Sequence, residues 1–193
     1  MPELPEVETV VRRLRPCVEG KTTVSVQVFR EKSFQSSSDK LVNTTIIKLD
    51  RRAKIIRFAL NTGDNLLVHL KMTGQLIYVG EEARVGGGHP TSDWVRELPS
   101  SHTRVHIAFH DHSSLFFNDQ RVFGWLKLMS REETAQELQK YGPDIWSESV
   151  GTDAVDEAYF YTQLQRRTQS IKQVIMNNAV VAGVGNIYAC DAL

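Results

Sequence analysis

The sequence predicts an α+β protein in which an N-terminal helix and an antiparallel β-sandwich precede a shortened helical region. Three observations lead to this prediction: apolar residues at helical spacing near the N-terminus, short alternating segments between residues 24 and 118, and helix-start signals from residue 130 onward. Short alternating strands at close intervals are typical of sandwiches and barrels. We therefore predict a β-sandwich domain over residues 1–130 and a helical domain over residues 131–193.

The first helix is predicted over residues 6–14, where apolar residues recur at the i, i+3, i+4, i+7 spacing of an amphipathic helix. These residues are Val7, Val10, Val11 and Leu14. Pro5 suits the first turn of a helix, and Pro16 is predicted to mark its end.

The β region is predicted from segments that alternate between apolar and polar residues or are bounded by turn residues. The predicted strands span residues 24–28, 55–60, 65–70, 76–79, 104–110 and 115–118. The histidines of the last hairpin share one face, which predicts a solvated polar face rather than a metal site. They are His102, His106, His110 and His112. The glycine-rich stretch 80–101 is predicted to be a mobile loop.

The helical region is predicted to start at Ser130, since Glu133 follows three residues later and completes a capping box. Further helices are predicted from Asp153 or Asp156 to about Gln165, over residues 171–176 and over residues 187–193.

The composition indicates the cellular compartment in which the protein is expected. No apolar run approaches the roughly 20 residues that a membrane span requires. Residues 1–6 lack the pattern of a secretion signal, and Cys17 and Cys190 form neither a metal-type pair nor a disulfide framework. A cytoplasmic protein is therefore expected.

The charge distribution is uneven although the net charge is zero. A neutral chain counts against nucleic-acid binding, but phosphate contacts need local clusters rather than a basic average. Residues 45–60 hold such a cluster: Lys48, Arg51, Arg52, Lys54 and Arg57, with Asp50 as the one acid. Taken alone, the cluster is also explained by a solvated face.

Pro2 is a candidate nucleophile. Excision of Met1 would expose its secondary amine, and an α-amino group is partly neutral near pH 7. Such an amine can attack a sugar C1′ and form an iminium, while Glu3 protonates the ring oxygen. Without other signals, a frayed terminus is the better explanation of these residues.

Five segments together resemble one enzyme family. They are Met1–Val10 (MPELPEVETV), Arg51–Lys54 (RRAK), His69–Gln75 (HLKMTGQ), Asn118–Gly124 (NDQRVFG) and Val181–Ala189 (VAGVGNIYA). They resemble, in the same order, segments of the bacterial formamidopyrimidine-DNA glycosylases, which excise oxidised purines. The last is similar to the helix–two-turn–helix DNA-binding element of that family. The resemblance implies a bifunctional glycosylase and abasic-site lyase that acts on 8-oxoguanine and formamidopyrimidines in duplex DNA.

The resemblance also implies roles for the catalytic residues. Pro2 corresponds to the nucleophile, Glu3 to the general acid, and Glu6 to a second acidic residue near the catalytic centre. Lys54 is similar to a hairpin lysine that grips the phosphate next to the lesion. Lys172 and Asn186 resemble further phosphate contacts, and Asn186 is also predicted to cap the helix that follows it.

Three further residues correspond to the side chains that fill the gap left by an extruded nucleotide: Met72, Arg121 and Phe123. Core packing is the usual explanation for a methionine and a phenylalanine, but flanking glycines indicate loop tips. Where the family has Pro-Arg-Arg-Phe, this chain has Gln120-Arg121-Val122-Phe123. This difference leaves one polar contact near the opposite strand in doubt.

The family usually continues to a four-cysteine zinc finger. With no CxxC pair in the sequence, we expect no metal site and no cofactor. A monomer that binds damaged duplex DNA in the bacterial nucleoid and does not bind membranes is expected. Three alternatives stay open: an endonuclease VIII-like glycosylase that prefers oxidised pyrimidines, a non-catalytic binder of damaged DNA, and a protein-interaction β domain with an incidental helical tail.

Overall fold

The computed structural model describes residues 2–146 and 155–193 of this 193-residue chain. The helices of the described residues are α1 (Leu4–Val18), α2 (Arg131–Leu138), α3 (Glu157–Gln165), α4 (Ile171–Met176) and α5 (Asn186–Asp191). The strands are β1 (Thr23–Val28), β2 (Ile46–Arg52), β3 (Ile55–Leu60), β4 (Asn65–His69), β5 (Gly74–Val79), β6 (Arg84–Gly88), β7 (Thr103–Phe109), β8 (Ser114–Asp119) and β9 (Trp125–Met129). The predicted α+β class is confirmed.

The strands form two antiparallel sheets. One has the order β1-β7-β8-β5-β6 and the other the order β2-β3-β4-β9. One apolar core joins the two sheets and the inner face of α1, with Val10, Phe58 and Phe117 almost completely buried. Burying each such side chain stabilises the fold by about 1.5–3 kcal/mol. Because sequential strands are joined by short turns, the turns after β2, β4 and β8 bring residues 53–54, 70–73 and 120–124 to the margins of the sandwich.

Helix α1 is longer than predicted at both ends. It begins at Leu4 rather than Glu6, and it continues through Pro16 to Val18, so the prediction that Pro16 ends the helix is wrong. A proline in the last turn removes one backbone hydrogen bond. Val18 is fully buried, and its packing in the core holds that last turn in place.

The glycine stretch is a strand rather than a loop. Residues Arg84–Gly88 form β6, which pairs with β5, and Ser92–Trp94 form a 3₁₀ turn, so the prediction of a loop over residues 80–101 is wrong for these two segments. A side chain at Gly87 would overlap Val10 of α1. The missing side chains therefore let the helix lie directly on the sheet, an effect that strand propensity does not reveal.

Two other strands, β2 and β9, were not predicted from the sequence. Strand β1 was predicted, but its pairing with β7 shifts between Thr23 and Ser25. This bulge leaves Val24 exposed while Val26 and Val28 stay half-buried, so the alternation of the segment is less regular than its sequence suggests.

The predicted helix starts are largely present. Ser130 accepts a hydrogen bond from the Glu133 amide, and Glu133 closes the capping box of α2. Asp156 caps α3, while Asp153 lies outside the described residues. Val174, Val180 and Val181 form a small separate core beside α3. Of the helices described, none has the length and apolar composition to cross a membrane. The division at residue 130 stays a prediction.

Candidate functional site

Glu3 joins the N-terminus of the chain to α5. Its side chain is completely buried. Its carboxylate accepts hydrogen bonds from the Ile187 amide at 2.9 Å and the Tyr188 amide at 3.4 Å. The first amides of a helix lack intrahelical acceptors and carry the positive end of the helix dipole. Glu3 therefore caps α5 from the other end of the chain.

The glycines of the Gly183-Val184-Gly185 turn make room for this contact. A side chain at Gly185 would overlap the Glu3 carboxyl carbon, and one at Gly183 would overlap Leu4. Gly185, not Asn186, is the N-cap of α5, and Asn186 is its first helical residue. The prediction that Asn186 caps this helix is therefore wrong, because Glu3 from the other end of the chain supplies the capping oxygens.

Glu6 makes a second link between α1 and α5. One carboxylate oxygen accepts a hydrogen bond from the Glu3 amide at 2.8 Å, and the other accepts one from the Tyr188 hydroxyl at 2.7 Å. This hydrogen bond to Glu6 raises the pKa of Tyr188 above its ordinary value. Pro2, which precedes Glu3 in the sequence, is buried. Met1 lies outside the described residues.

Lys54 reaches the same glycine turn from the β2–β3 hairpin. Ala53 precedes it with a φ of 55°, and the Lys54 ammonium donates a hydrogen bond to the Val184 carbonyl at 3.1 Å. Burial lowers the pKa of Lys54 below its ordinary value. The negative charge of the nearby Glu3 opposes this shift, and the positive charge of Lys71 adds to it. The structure thus brings together Glu3, Lys54 and the 183–185 turn from three distant parts of the sequence.

Asp144 holds this hairpin in place, and the sequence analysis did not identify it. Its buried carboxylate accepts hydrogen bonds from Arg51 at 3.3 Å, Arg52 at 2.9 Å and the Ala53 amide at 3.0 Å. It also forms a bridge with Ala182, just before the glycine turn. The one signal for Asp144 in the sequence was the adjacent pair Arg51 and Arg52, because two half-buried arginines need an acidic partner.

The three predicted gap-filling residues lie on two adjacent turns. Met72 follows β4, and Arg121 and Phe123 follow β8, while the pairing of Gly74 with Asp119 sets the turns side by side. Met72 is 38% exposed and Phe123 46% exposed, so neither belongs to the core. The Arg121 guanidinium lies 4.8 Å from the centre of the Phe123 ring.

Lys172 and Asn186 lie near each other on α4 and α5. The Lys172 ammonium is 2.9 Å from the Cys190 sulfur, and that sulfur is 3.9 Å from the Asn186 side-chain oxygen. Both polar side chains sit on the outer part of the α4–α5 pair, with Asn186 exposed and Lys172 half-buried. These two predicted phosphate contacts are therefore close together, whereas Lys54 lies on the β2–β3 hairpin.

His69, which was not singled out in the sequence, is a neutral, half-buried base beside the Met72 turn. Its Nδ1 accepts a hydrogen bond from the Lys71 amide at 3.0 Å, so the ring proton is on Nε2. Burial, together with the positive charges of Lys71 and Lys54, lowers the pKa of His69 to about 3. The ring remains uncharged near pH 7.

A large apolar cavity adjoins this polar site along Gly183, Val184 and Tyr188. It has a volume of about 1170 Å³ and lies between α1 and the C-terminal helices, with Phe160, Ile171 and Leu193 in its apolar wall. Neither Glu3 nor Lys54 lines it. In the described part of the chain, no three His, Cys, Asp or Glu side chains are grouped so that they could hold a metal ion.

Comparison with known families gives a match over most of the chain. Residues 1–126 match the model of the formamidopyrimidine-DNA glycosylase N-terminal domain. This chain is 34% identical to the formamidopyrimidine-DNA glycosylase of Roseobacter denitrificans and 38% identical to that of a Bradyrhizobium species, in both cases over its whole length. The chain spans 66% of the length of each of these relatives, just under two thirds.

Solved structures show the same fold. The chain is similar to Lactococcus lactis formamidopyrimidine-DNA glycosylase bound non-covalently to DNA with an abasic site, with a TM-score of 0.78 and 28% identity. A complex of the Lactococcus lactis enzyme with DNA that contains N7-benzyl-Fapy-dG gives a TM-score of 0.79 and 29% identity. The aligned region covers 97% of this chain in both cases, and 66% and 64% of the respective structures.

Proposed function

Since the chain belongs to the formamidopyrimidine-DNA glycosylase family, we propose that it excises oxidised bases from duplex DNA and cleaves the abasic site that results. The observation that carries this proposal is the convergence of Glu3 and Lys54 on the 183–185 turn, next to Pro2. A buried carboxylate, an ammonium group and the start of a DNA-binding element meet at the N-terminus of the chain. This is the arrangement that an N-terminal amine nucleophile needs.

In the proposed reaction, the Pro2 nitrogen attacks C1′ of the damaged nucleotide. A nitrogen–C1′ bond forms, and the glycosidic bond breaks as the base leaves with a proton. Glu3 then protonates the ring oxygen, the C1′–O4′ bond breaks, and the nitrogen lone pair completes an iminium. Loss of a C2′ proton breaks the C3′–O bond and releases the 3′ phosphate. Water finally hydrolyses the iminium, and no metal or cofactor enters these steps.

The structure around Glu3 supports its role as the acid. Because the α5 amides hold the carboxylate in one orientation, the proton it transfers has a defined position. Glu6 restrains the Glu3 backbone and Tyr188, so it supports the acid without acting on the sugar. The Lys54 ammonium adds a positive charge next to Glu3 and is free to exchange its carbonyl partner for a phosphate oxygen.

The DNA-binding part of the proposal concerns two regions. Lys54, Lys172 and Asn186 would bind the phosphates on either side of the lesion. Positively charged groups and hydrogen-bond donors that contact the DNA phosphates fix the register of a protein on the duplex. Met72, Arg121 and Phe123 would fill the space left by the extruded nucleotide. The related Lactococcus lactis structures contain abasic-site DNA and formamidopyrimidine DNA, which supports oxidised purines as the substrate class. We propose that one copy of the chain acts on one lesion.

Borohydride trapping tests this proposal. The full chain, with loss of Met1 verified by mass spectrometry, is incubated with duplex DNA that bears one abasic site, and the reduced adduct is measured. We expect a covalent adduct with the wild-type chain and none with Pro2→Gly. A verified N-terminal proline without an adduct, in a chain that still binds the duplex, would favour the non-catalytic binder. Excision of 8-oxoguanine against thymine glycol then separates the oxidised-purine from the oxidised-pyrimidine specificity.

A further inference from the structure

Asp119 connects the two turns that carry the exposed Met72, Arg121 and Phe123. One carboxylate oxygen accepts hydrogen bonds from the Thr73 hydroxyl and from the Arg121 amide at 3.2 Å. The other accepts a hydrogen bond from the Gly124 amide at 2.7 Å. The Thr73 hydroxyl also accepts a hydrogen bond from the Arg121 amide at 3.0 Å. One buried carboxylate therefore binds the Met72 turn on one side and both ends of the Arg121–Phe123 turn on the other.

Both turns contain strained backbone next to the exposed side chains. Lys71, which precedes Met72, has a φ of 52°, and Val122, between Arg121 and Phe123, has a φ of 56°. A β-branched residue rarely adopts this left-handed conformation. Such conformations persist only where surrounding contacts enforce them. At Val122, the enforcing contacts are the hydrogen bonds of Asp119 to the residues on either side of the strained segment.

The burial of Asp119 makes these contacts obligatory. Its side chain is almost fully buried, and the Cβ of any residue replacing Gly124 would lie 3.1 Å from the carboxylate oxygen. Arg104 donates a hydrogen bond to the Asp119 carbonyl at 2.7 Å, which fixes the backbone at the same point. If the carboxylate is lost, the Gly124 amide loses its hydrogen-bond acceptor, and the turn can relax.

We propose that Asp119 is a positioning residue that holds the two turns as one rigid wedge, so that Met72, Arg121 and Phe123 enter the duplex together. This inference rests on the function proposed above and adds a residue to it. Asp119 makes its hydrogen bonds with the wedge turns, not with Glu3 or Lys54. Its role is therefore in opening the duplex, and the bond-breaking steps at the sugar do not depend on it.

The test compares trapping on duplex DNA with trapping on single-stranded DNA that carries the same abasic site. A single strand needs no wedge, because its abasic sugar is not held in a stack. We expect Asp119→Asn to slow adduct formation on the duplex by about tenfold or more, since small losses of positioning are costly. Adduct formation on the single strand should stay within about twofold of the wild-type chain. Thr73→Val should show the same split, and Thr73→Ser, which keeps the hydroxyl, should restore the duplex rate.

Asp93→Asn is the matched control, because this carboxylate is equally buried but binds His102. It should leave the ratio of duplex to single-strand rates unchanged. An equal fall on both substrates with Asp119→Asn would show a general structural role and overturn the proposal, as would unchanged rates on both. If the wild-type chain forms no adduct with either substrate, the proposed function itself fails, and this outcome is distinct from a failure of the wedge.

Discussion

The Glu3 carboxylate and the Ile187 amide lie 184 positions apart in sequence and 2.9 Å apart in space. This hydrogen bond ties the proposed acid to the first turn of α5. The orientation of the acid therefore depends on the folding of the C-terminal helices, and a change on either side of the contact should affect the other.

Replacement of Glu3 by glutamine should separate its two roles. Gln keeps an oxygen for the Ile187 amide but cannot donate a proton as an acid does, so base excision should fall strongly while the fold is retained. Glu3→Ala removes the cap as well and should lower the free energy of unfolding by about 1–2 kcal/mol. Single-turnover assays of the two variants measure the loss of base excision, and urea unfolding measures the loss of stability. Equal activity of Glu3→Gln and the wild-type chain would contradict the role as acid.

Gly185→Ala should displace the Glu3 side chain, because the added methyl group would overlap its carboxyl carbon. Overpacking of this kind costs about 1–3 kcal/mol. We expect lower thermal stability together with slower adduct formation. Gly86→Ala is the control, since a methyl group there meets its neighbours at an ordinary contact distance of 3.7 Å. The same loss of stability and activity in both variants would show that the effect of Gly185→Ala does not arise from the contact with Glu3.

Asp144→Ala should destabilise the β2–β3 hairpin that carries Lys54. Its carboxylate is the buried acceptor for Arg51, Arg52 and the Ala53 amide. Removal of one partner from a buried ion pair costs about 3 kcal/mol or more. Asp50→Ala breaks the more exposed pair with Arg57 and should cost about 1 kcal/mol or less. Urea unfolding of the two variants compares them, and equal losses would refute the special role of Asp144.

His69 should make the protein less stable in mild acid. Its folded pKa of about 3 lies below its ordinary value of 6.5, so between these values the unfolded chain binds more protons than the folded chain. Stability therefore falls as the pH drops through this window, by up to about 1.4 kcal/mol per pH unit. His69→Gln keeps an acceptor for the Lys71 amide and should flatten this dependence. Urea unfolding from about pH 7 to about pH 5 tests this, and parallel curves for the two proteins would contradict it.

Lys54→Ala should weaken binding to duplex DNA and reduce its salt dependence. Loss of one phosphate contact lowers the slope of log K against log salt by about 1. Lys140→Ala removes an exposed lysine that pairs with Glu137 on α2, and it should leave the slope unchanged. Fluorescence anisotropy over a series of salt concentrations measures both slopes. A slope for Lys54→Ala equal to that of the wild-type chain would show that Lys54 does not bind phosphate.

Much of the fold could be predicted because its signals are local. The alternation of Val105, Ile107 and Phe109 depends on neighbouring residues only, and the structure buries all three. The same holds for the capping box of Ser130 and Glu133. Where prediction failed, a distant partner decided the conformation. Val10 of α1 lies against Gly87 and keeps the glycine stretch in the sheet, and the core holds Val18 beyond Pro16.

The sequence by itself determined the fold class, the family and the candidate site residues, because these depend on residue types and spacings within short segments. The tertiary structure alone decided how those segments meet. Glu3 with Ile187, Asp144 with Arg51, and Asp119 with Thr73 are separated by 184, 93 and 46 positions. No local periodicity encodes such contacts. They form because a buried carboxylate requires hydrogen-bond donors, and only the folded chain brings these donors within reach.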